Sequence, residues 1–267
     1  MLHHLDRHSY DIFSPHSTFI EGHRGMNRVM PENTILSFKK SIEANLDSIE
    51  LDIWLTKDLI PVVIHGGKSG EIDEFTNGKG NVKNLSLKEL SVYRTIKGDQ
   101  PVPLFEEVLI LCKDKIFINI ELKDDRIQLT FAKVIALIEK YNMFDQVAFS
   151  SFKHEYYDEV TKYSEEKNKP LEFGFLYEAQ DKKDEFIPYK FNVHGKRSMN
   201  LPQKDVTKEI VTKAHSLGYA VHCWFCMKDK ENDEVYKRLI ECGVDAICCN
   251  EPEKAKIFRN SYFNISK

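Results

Sequence analysis

The segment Ser48-Ile49-Glu50-Leu51-Asp52-Ile53-Trp54-Leu55-Thr56-Lys57-Asp58-Leu59-Ile60-Pro61-Val62-Val63-Ile64-His65 decides how the rest of the chain is read. Side chains of a strand alternate between faces, so Ser48, Glu50, Asp52 and Trp54 share one face while Ile49, Leu51, Ile53 and Leu55 share the other. Two acids thus project the same way from an otherwise apolar strand and need a common partner. Pro61 to Ile64 read as a second strand, and Lys57 to Ile60 form a hairpin link too short for a parallel crossover. A symmetric turn pairing Thr56 with Pro61 sets Asp52 opposite His65. Two carboxylates and an imidazole then face one spot, a set suited to metal-assisted acid/base chemistry.

Working outward, Phe117-Ile118-Asn119-Ile120-Glu121-Leu122-Lys123 repeats the alternation, with Asn119, Glu121 and Lys123 on its polar face. The spacing predicts strands at 18–23, 48–53, 116–122, 146–150, 171–177, 198–201, 219–225 and 244–249. Helices fall between most of them, one opened by an Asn33 or Thr34 cap and others closed by Gly218 and Gly243. Helices that end in glycine and feed short apolar strands argue for parallel βα units, and eight such units close a (β/α)8 barrel of the α/β class. Residues 61–65 are left as a hairpin return above the rim. Residues 66–100 are polar and punctuated by glycine, as expected of a small inserted lobe over one end of the barrel. Residues 1–17 read as a loosely packed lead-in, 18–267 as the barrel, and 181–197 as a connection without a clear helix.

At 267 residues the chain suits one barrel of about 250 residues. A net charge of −4 without a long basic run gives no support for a nucleic-acid partner. No apolar run approaches the roughly 18 residues that span a bilayer, and the first residues lack the core and cleavage site of a signal peptide. Six cysteines are too sparse for a disulfide scaffold, so the expectation is a soluble cytoplasmic protein.

In a parallel barrel both strand faces are covered, so a polar face near the C-terminal end of a strand lines the catalytic mouth. Glu50, Asp52 and Glu121 then converge, and three carboxylates in one small volume call for a cation. An all-oxygen set favours Mg²⁺ or Ca²⁺ over Zn²⁺. Gly22-His23-Arg24-Gly25 places a second imidazole at a strand end. His23 and His65 can remove one proton and supply another, as cleavage of a phosphate ester requires, and Arg24 and Lys123 suit a phosphate. Cys223 and Cys226 have redox spacing but no capped helix directly after them, Cys248 and Cys249 read as small core residues, and His194 and His215 show no acidic neighbours.

Gly22-His23-Arg24-Gly25, Pro31-Glu32-Asn33-Thr34, Glu50-Leu51-Asp52, Thr56-Lys57-Asp58, Pro61-Val62-Val63-Ile64-His65, Glu121-Leu122-Lys123, Phe149-Ser150-Ser151-Phe152 and Gly243-Val244-Asp245-Ala246 together resemble the glycerophosphodiester phosphodiesterases, in order from residue 19 to about 254. The resemblance implies a TIM barrel with a small lobe inserted after the second histidine. It implies one divalent cation, Mg²⁺ or Ca²⁺, on Glu50, Asp52 and Glu121, with His23 and His65 as the acid/base pair. It also implies a glycerophosphodiester substrate such as glycerophosphocholine, cleaved to sn-glycerol 3-phosphate and an alcohol through a cyclic phosphate. Trp224 looks like a wall for the glycerol or head group. Three departures stand out: Gly66 where the family usually has Asp, Leu59 where it usually has Gly, and Phe225-Cys226-Met227 where a polar Thr-x-Asn often follows the tryptophan. Two other readings stay open. One is a lysophospholipase D of the same fold, with Phe75, Tyr93 and Phe105 lining an acyl groove; the other is a sensor that binds a phosphodiester without cleaving it.

Overall fold

Alternation of the kind seen at Ser48–Leu55 recurs around a closed sheet. In the computed structural model, which describes residues 18–178 and 197–265, the strands are β1 (Phe19–Gly22), β2 (Ser48–Leu55), β3 (Pro61–Val63), β4 (Phe117–Leu122), β5 (Val147–Ser151), β6 (Phe173–Leu176), β7 (Arg197–Pro202), β8 (Ala220–Trp224) and β9 (Ala246–Cys249). All but β3 run parallel in the order β1-β9-β8-β7-β6-β5-β4-β2, and pairing of β1 with β2 closes the eight-stranded barrel. The helices are α1 (Ile35–Glu43), α2 (Leu87–Leu90), α3 (Phe105–Cys112), α4 (Ile127–Tyr141), α5 (Tyr156–Lys167), α6 (Lys208–Ser216), α7 (Asp233–Cys242) and α8 (Pro252–Tyr262). Apart from α2, they follow the strands around the barrel as the sequence predicts. The proposed lead-in at 1–17, His194 and all but the last residue of the connection at 181–197 lie outside the described residues. Among the described residues, no helix is long and apolar enough to cross a membrane.

The outward face of β2, Ile49, Leu51 and Ile53, is fully buried beneath the helices together with Phe38, Phe105, Val108 and Leu109. Each such side chain contributes about 1.5–3 kcal/mol relative to exposure, so the helical jacket is what keeps the barrel closed. Inside, the side chains form layers. Phe19, Phe117, Ala148, Ala220 and Ala246 plug the lower end. Above them Glu21 receives Ser48 Oγ at 2.9 Å and Asn119 Nδ2 at 3.1 Å and lies 3.1 Å from His222 Nε2. Burial opposes ionisation of Glu21, but His222, Asn119 and Ser48 hold its carboxyl below the ordinary value. The site acids sit one layer higher, at the C-terminal ends of the strands.

The hairpin departs from the symmetric pairing by one residue. Leu55 pairs with Pro61 and Trp54 with Val62, so Asp52 accepts the Ile64 N–H at 3.1 Å and lies opposite Ile64 rather than His65. The loop causes the shift. Thr56 N–H donates to Ile60 at 3.0 Å, Ile60 N–H returns to Thr56 Oγ1 at 2.9 Å, and Leu59 takes φ +63°, so the turn encloses an odd number of residues. His65 therefore lies two residues past the end of β3. His215 is a further correction: its Nε2 lies 2.8 Å from Asp245 Oδ2, a long-range partner that local spacing does not show.

The chain between β3 and α3 carries its own small core, in which Ile72, Val82 and Leu90 pack on Trp54, Val62 and Ile64 of the hairpin. Ser86 caps α2 through a reciprocal pair with Glu89. The junction is tight at Gly66. Its φ is +64°, and a Cβ there would lie 2.9 Å from Trp54 Nε1, the atom that donates to the His65 carbonyl at 2.9 Å. This explains why Gly66 suits the position in this chain. Gly66→Ala is expected to destabilise the protein by about 1–3 kcal/mol through backbone strain and the forced shift of Trp54. Urea unfolding measures this, and an unchanged midpoint would contradict the packing described.

Candidate active site

The rim over β1, β2 and β4 gathers most of the predicted side chains. In register Asp52 lies beside Glu121 and Glu50 beside Asn119, so the three acids project from adjacent strands. Glu50, Asp52 and Glu121 each offer one oxygen, and these atoms lie within 4.8 Å of one another. That spacing suits a hard cation ligated by oxygen at about 2.0–2.6 Å.

The loop after β1 orients the acids. Gly25, at φ +84°, lets the chain turn under α1, where a Cβ would strike Ser37. Arg24, at φ +52°, points its backbone N–H at Glu50 Oε2 at 2.8 Å and its Nε toward Asp52 Oδ2 at 3.5 Å. Its Nη1 pairs with Glu32 at 2.8 Å. Asn33, at φ +54°, donates from Nδ2 to Asp52 Oδ2 at 2.7 Å and accepts the Asp52 N–H at 3.3 Å, while the neighbouring Thr34 caps α1. Lys123 Nζ stands 3.2 Å from both Asp52 Oδ1 and Glu121 Oε1. Among the described residues, Glu50 Oε1 is buried without a hydrogen-bond partner, and Asp52 Oδ1 faces Lys123 outside hydrogen-bond geometry. Buried carboxylate oxygens left this way are what a cation would satisfy, so the residues fit one.

Charge is unevenly shared. Burial, then Asp52 and Glu121, push the Glu50 carboxyl well above the ordinary range, and burial also raises Glu121. Burial works against Asp52 too, but Lys123, His65, Arg24 and Asn33 outweigh it and keep it ionised. His23 follows β1, with its N–H on the Cys249 carbonyl at 3.0 Å and Nδ1 2.9 Å from Asn250 Oδ1. Burial, then Arg24, lowers its pKa to about 3, and burial likewise lowers His65. His23 lines a narrow cleft of about 30 Å³ with Glu50, Glu121 and Trp224. His65 opens instead onto a groove of about 270 Å³ bordered by Glu32, Phe75, Ile96 and Met227.

Trp224 stands at the mouth, edge-on to Phe152 at 6.1 Å, with Nε1 buried and without a hydrogen-bond partner among the described residues. Of the three aromatics expected along an acyl groove, only Phe75 lines it. Tyr93 packs against the inserted segment's core, and Phe105, which opens α3, is buried in the core between the helices and the barrel. Glu32 and Asn33 stood in the sequence only as part of the Pro31-Glu32-Asn33-Thr34 motif, with no role at the site, and Asn250 was not singled out. Within the motif Asn33 was legible only as a helix cap, and the signal for Asn250 is its place just past the last barrel strand.

Fold and rim together define a (β/α)8 barrel with a candidate active site at the C-terminal ends of its strands. Residues 23–254 match the profile of the glycerophosphoryl diester phosphodiesterase family. A glycerophosphodiester phosphodiesterase of Caldanaerobacter subterraneus is 32% identical over 88% of this chain and 95% of its own length. A Galdieria sulphuraria crystal structure provisionally given the same name superposes with a TM-score of 0.80 at 28% identity, over 91% of this chain and 98% of that one. An Oleispira antarctica phosphodiesterase, solved with its product sn-glycerol-3-phosphate, shares the fold with a TM-score of 0.75 at 20% identity, over 91% and 96% of the two chains. The chain belongs to the glycerophosphoryl diester phosphodiesterase family and is an enzyme, a phosphoric diester hydrolase.

Asn33→Ala removes both hydrogen bonds to Asp52 and leaves a buried carboxylate under-satisfied. A stability loss of about 1–3 kcal/mol is expected, with hydrolysis reduced at least about tenfold. Chemical denaturation and steady-state kinetics check both, and wild-type values for the two would remove Asn33 from the site.

Proposed function

We propose that this enzyme hydrolyses glycerophosphodiesters such as glycerophosphocholine to sn-glycerol 3-phosphate and an alcohol. In this reading Glu50, Asp52 and Glu121 hold one divalent cation, Mg²⁺ or Ca²⁺, and His23 and His65 transfer the protons. The carrying observation is the approach of three carboxylate oxygens to within 4.8 Å of one another, at a rim whose cleft is lined by one imidazole and whose groove is lined by another. The product held by the Oleispira relative supports the same substrate class.

The bound cation would supply charge neutralisation and polarisation of the phosphoryl oxygens. The chain's own residues do the rest. Lys123 and the Arg24 guanidinium would face the diester's negative charge. Burial disfavours the charged form of both imidazoles, and an anionic phosphodiester beside them favours a proton on one. The glycerol 2-hydroxyl oxygen bonds to phosphorus as its proton passes to the neutral imidazole. The bond from phosphorus to the head-group oxygen breaks, and that oxygen takes a proton from the charged imidazole. Water then opens the cyclic phosphate with the proton transfers reversed, which returns both rings to their starting states. Trp224 forms a wall against the glycerol or head group.

Release of glycerol 3-phosphate from glycerophosphocholine, measured with and without chelator, tests the proposal. Chelation is expected to abolish turnover, and adding Mg²⁺ or Ca²⁺ to raise the melting temperature of the wild type but not of Glu121→Gln. His23→Ala and His65→Ala should each lower kcat by about 10²–10⁴-fold with the fold retained. Full turnover in chelator, or a near-normal rate for folded His65→Ala, would overturn the reading.

A further inference from the structure

The hydrogen bonds behind His23 form a chain whose direction can be read without ambiguity. Asn250 is buried, and its Nδ2 donates to the Cys226 carbonyl at 3.1 Å and to Glu231 Oε1 at 2.7 Å. A backbone carbonyl can only accept, so the amide nitrogen must face it. Glu231 secures the same residue from the other side, accepting the Asn250 N–H at 3.0 Å and the Glu251 N–H at 3.1 Å. Asn250 Oδ1 is thereby turned toward His23 Nδ1 at 2.9 Å and also receives Asn27 Nδ2 at 2.7 Å. An amide oxygen cannot donate, so Nδ1 carries the hydrogen. In a neutral imidazole the lone pair then lies on Nε2, which has no protein partner among the described residues, on a ring that lines the cleft with Glu50 and Glu121.

His65 is held differently. Its Nδ1 is buried without a partner among the described residues, its ring rests on Phe75 at 5.1 Å, and it borders the wider groove. Among the described residues, no hydrogen bond selects one of its tautomers.

We infer that Asn250, anchored by Glu231, is a positioning residue that locks His23 as the Nδ1–H tautomer, so that Nε2 is the atom that takes the proton of the attacking hydroxyl. The O–H bond breaks, its electron pair forms the new bond to phosphorus, and the proton becomes the Nε2–H of an imidazolium. His65, on the groove side, is left to protonate the departing alcohol. The catalytic part of this assignment rests on the function proposed above; the tautomer does not.

Long-range ¹H–¹⁵N spectra of ¹⁵N-histidine-labelled protein, with the His23 signals assigned by their loss in His23→Gln, separate the two. The wild type is expected to carry its proton on Nδ1 of His23. Asn250→Leu should move the proton to Nε2 and lower kcat about 10–100-fold with KM within about threefold. Asn250→Asp, which keeps an acceptor toward Nδ1, should retain the wild-type tautomer. A wild-type His23 protonated on Nε2 overturns the inference, and this spectrum decides even if Asn250→Leu does not fold. An unchanged tautomer with unchanged kcat in folded Asn250→Leu also overturns it. An enzyme inactive on glycerophosphodiesters whose His23 still shows Nδ1–H would count against the function proposed above and support the lock.

Discussion

The carboxylate of Asp52, almost wholly withdrawn from water, is the charge around which the rim is built. An isolated ionised carboxylate in such a place costs several kcal/mol unless it is paired and hydrogen-bonded. Here an ammonium from the residue after β4, a guanidinium from the loop after β1 and an amide from the residue before the α1 cap converge on its two oxygens. Removing any one leaves the others facing an imbalance, and this is why residues distant in sequence are held to one geometry. Two of the residues that orient the acids, Arg24 and Asn33, adopt left-handed backbone conformations that side chains rarely take, a local strain that the surrounding contacts over-determine.

The apolar plug and the candidate site occupy different layers of one barrel. The apolar plug at the lower end and the buried Glu21–His222 layer above it keep water out and fix the strands. The acids at the upper end are left with unequal proton affinities, Asp52 ionised and Glu50 resisting ionisation. A cation suits such a set because positive charge favours the ionised form of every member at once. The inserted segment adds a second small core that rests on Trp54 and so reaches the backbone of His65 directly.

The barrel was legible because period-two alternation and glycine-terminated helices are local signals. The acids were legible for the same reason: Glu50, Asp52 and Glu121 interrupt apolar strands on the face that must point inward. What local pattern cannot carry is register and partnership. The hairpin slips by one residue because Leu59 accepts a left-handed backbone, which its side chain gives no cause to expect. Asn33 looks like a cap, and only the fold shows its amide on Asp52. Phe105 looked like a groove residue because it follows the insertion, but the turn of α3 points it into the core. The partnerships of Asn250 with His23 and of His215 with Asp245 span sequence separations that no local reading bridges.

The chain has two tryptophans, and both border the rim. Trp54 is sealed against the carbonyl of His65 with the Lys83 and Lys153 ammonium groups near its ring, while Trp224 stands partly open beside Phe152. Emission excited at the red edge of the aromatic band therefore arises entirely at the mouth of the barrel. One indole is screened from aqueous quenchers and the other is reachable, so the protein carries a built-in optical probe of whatever enters its cleft.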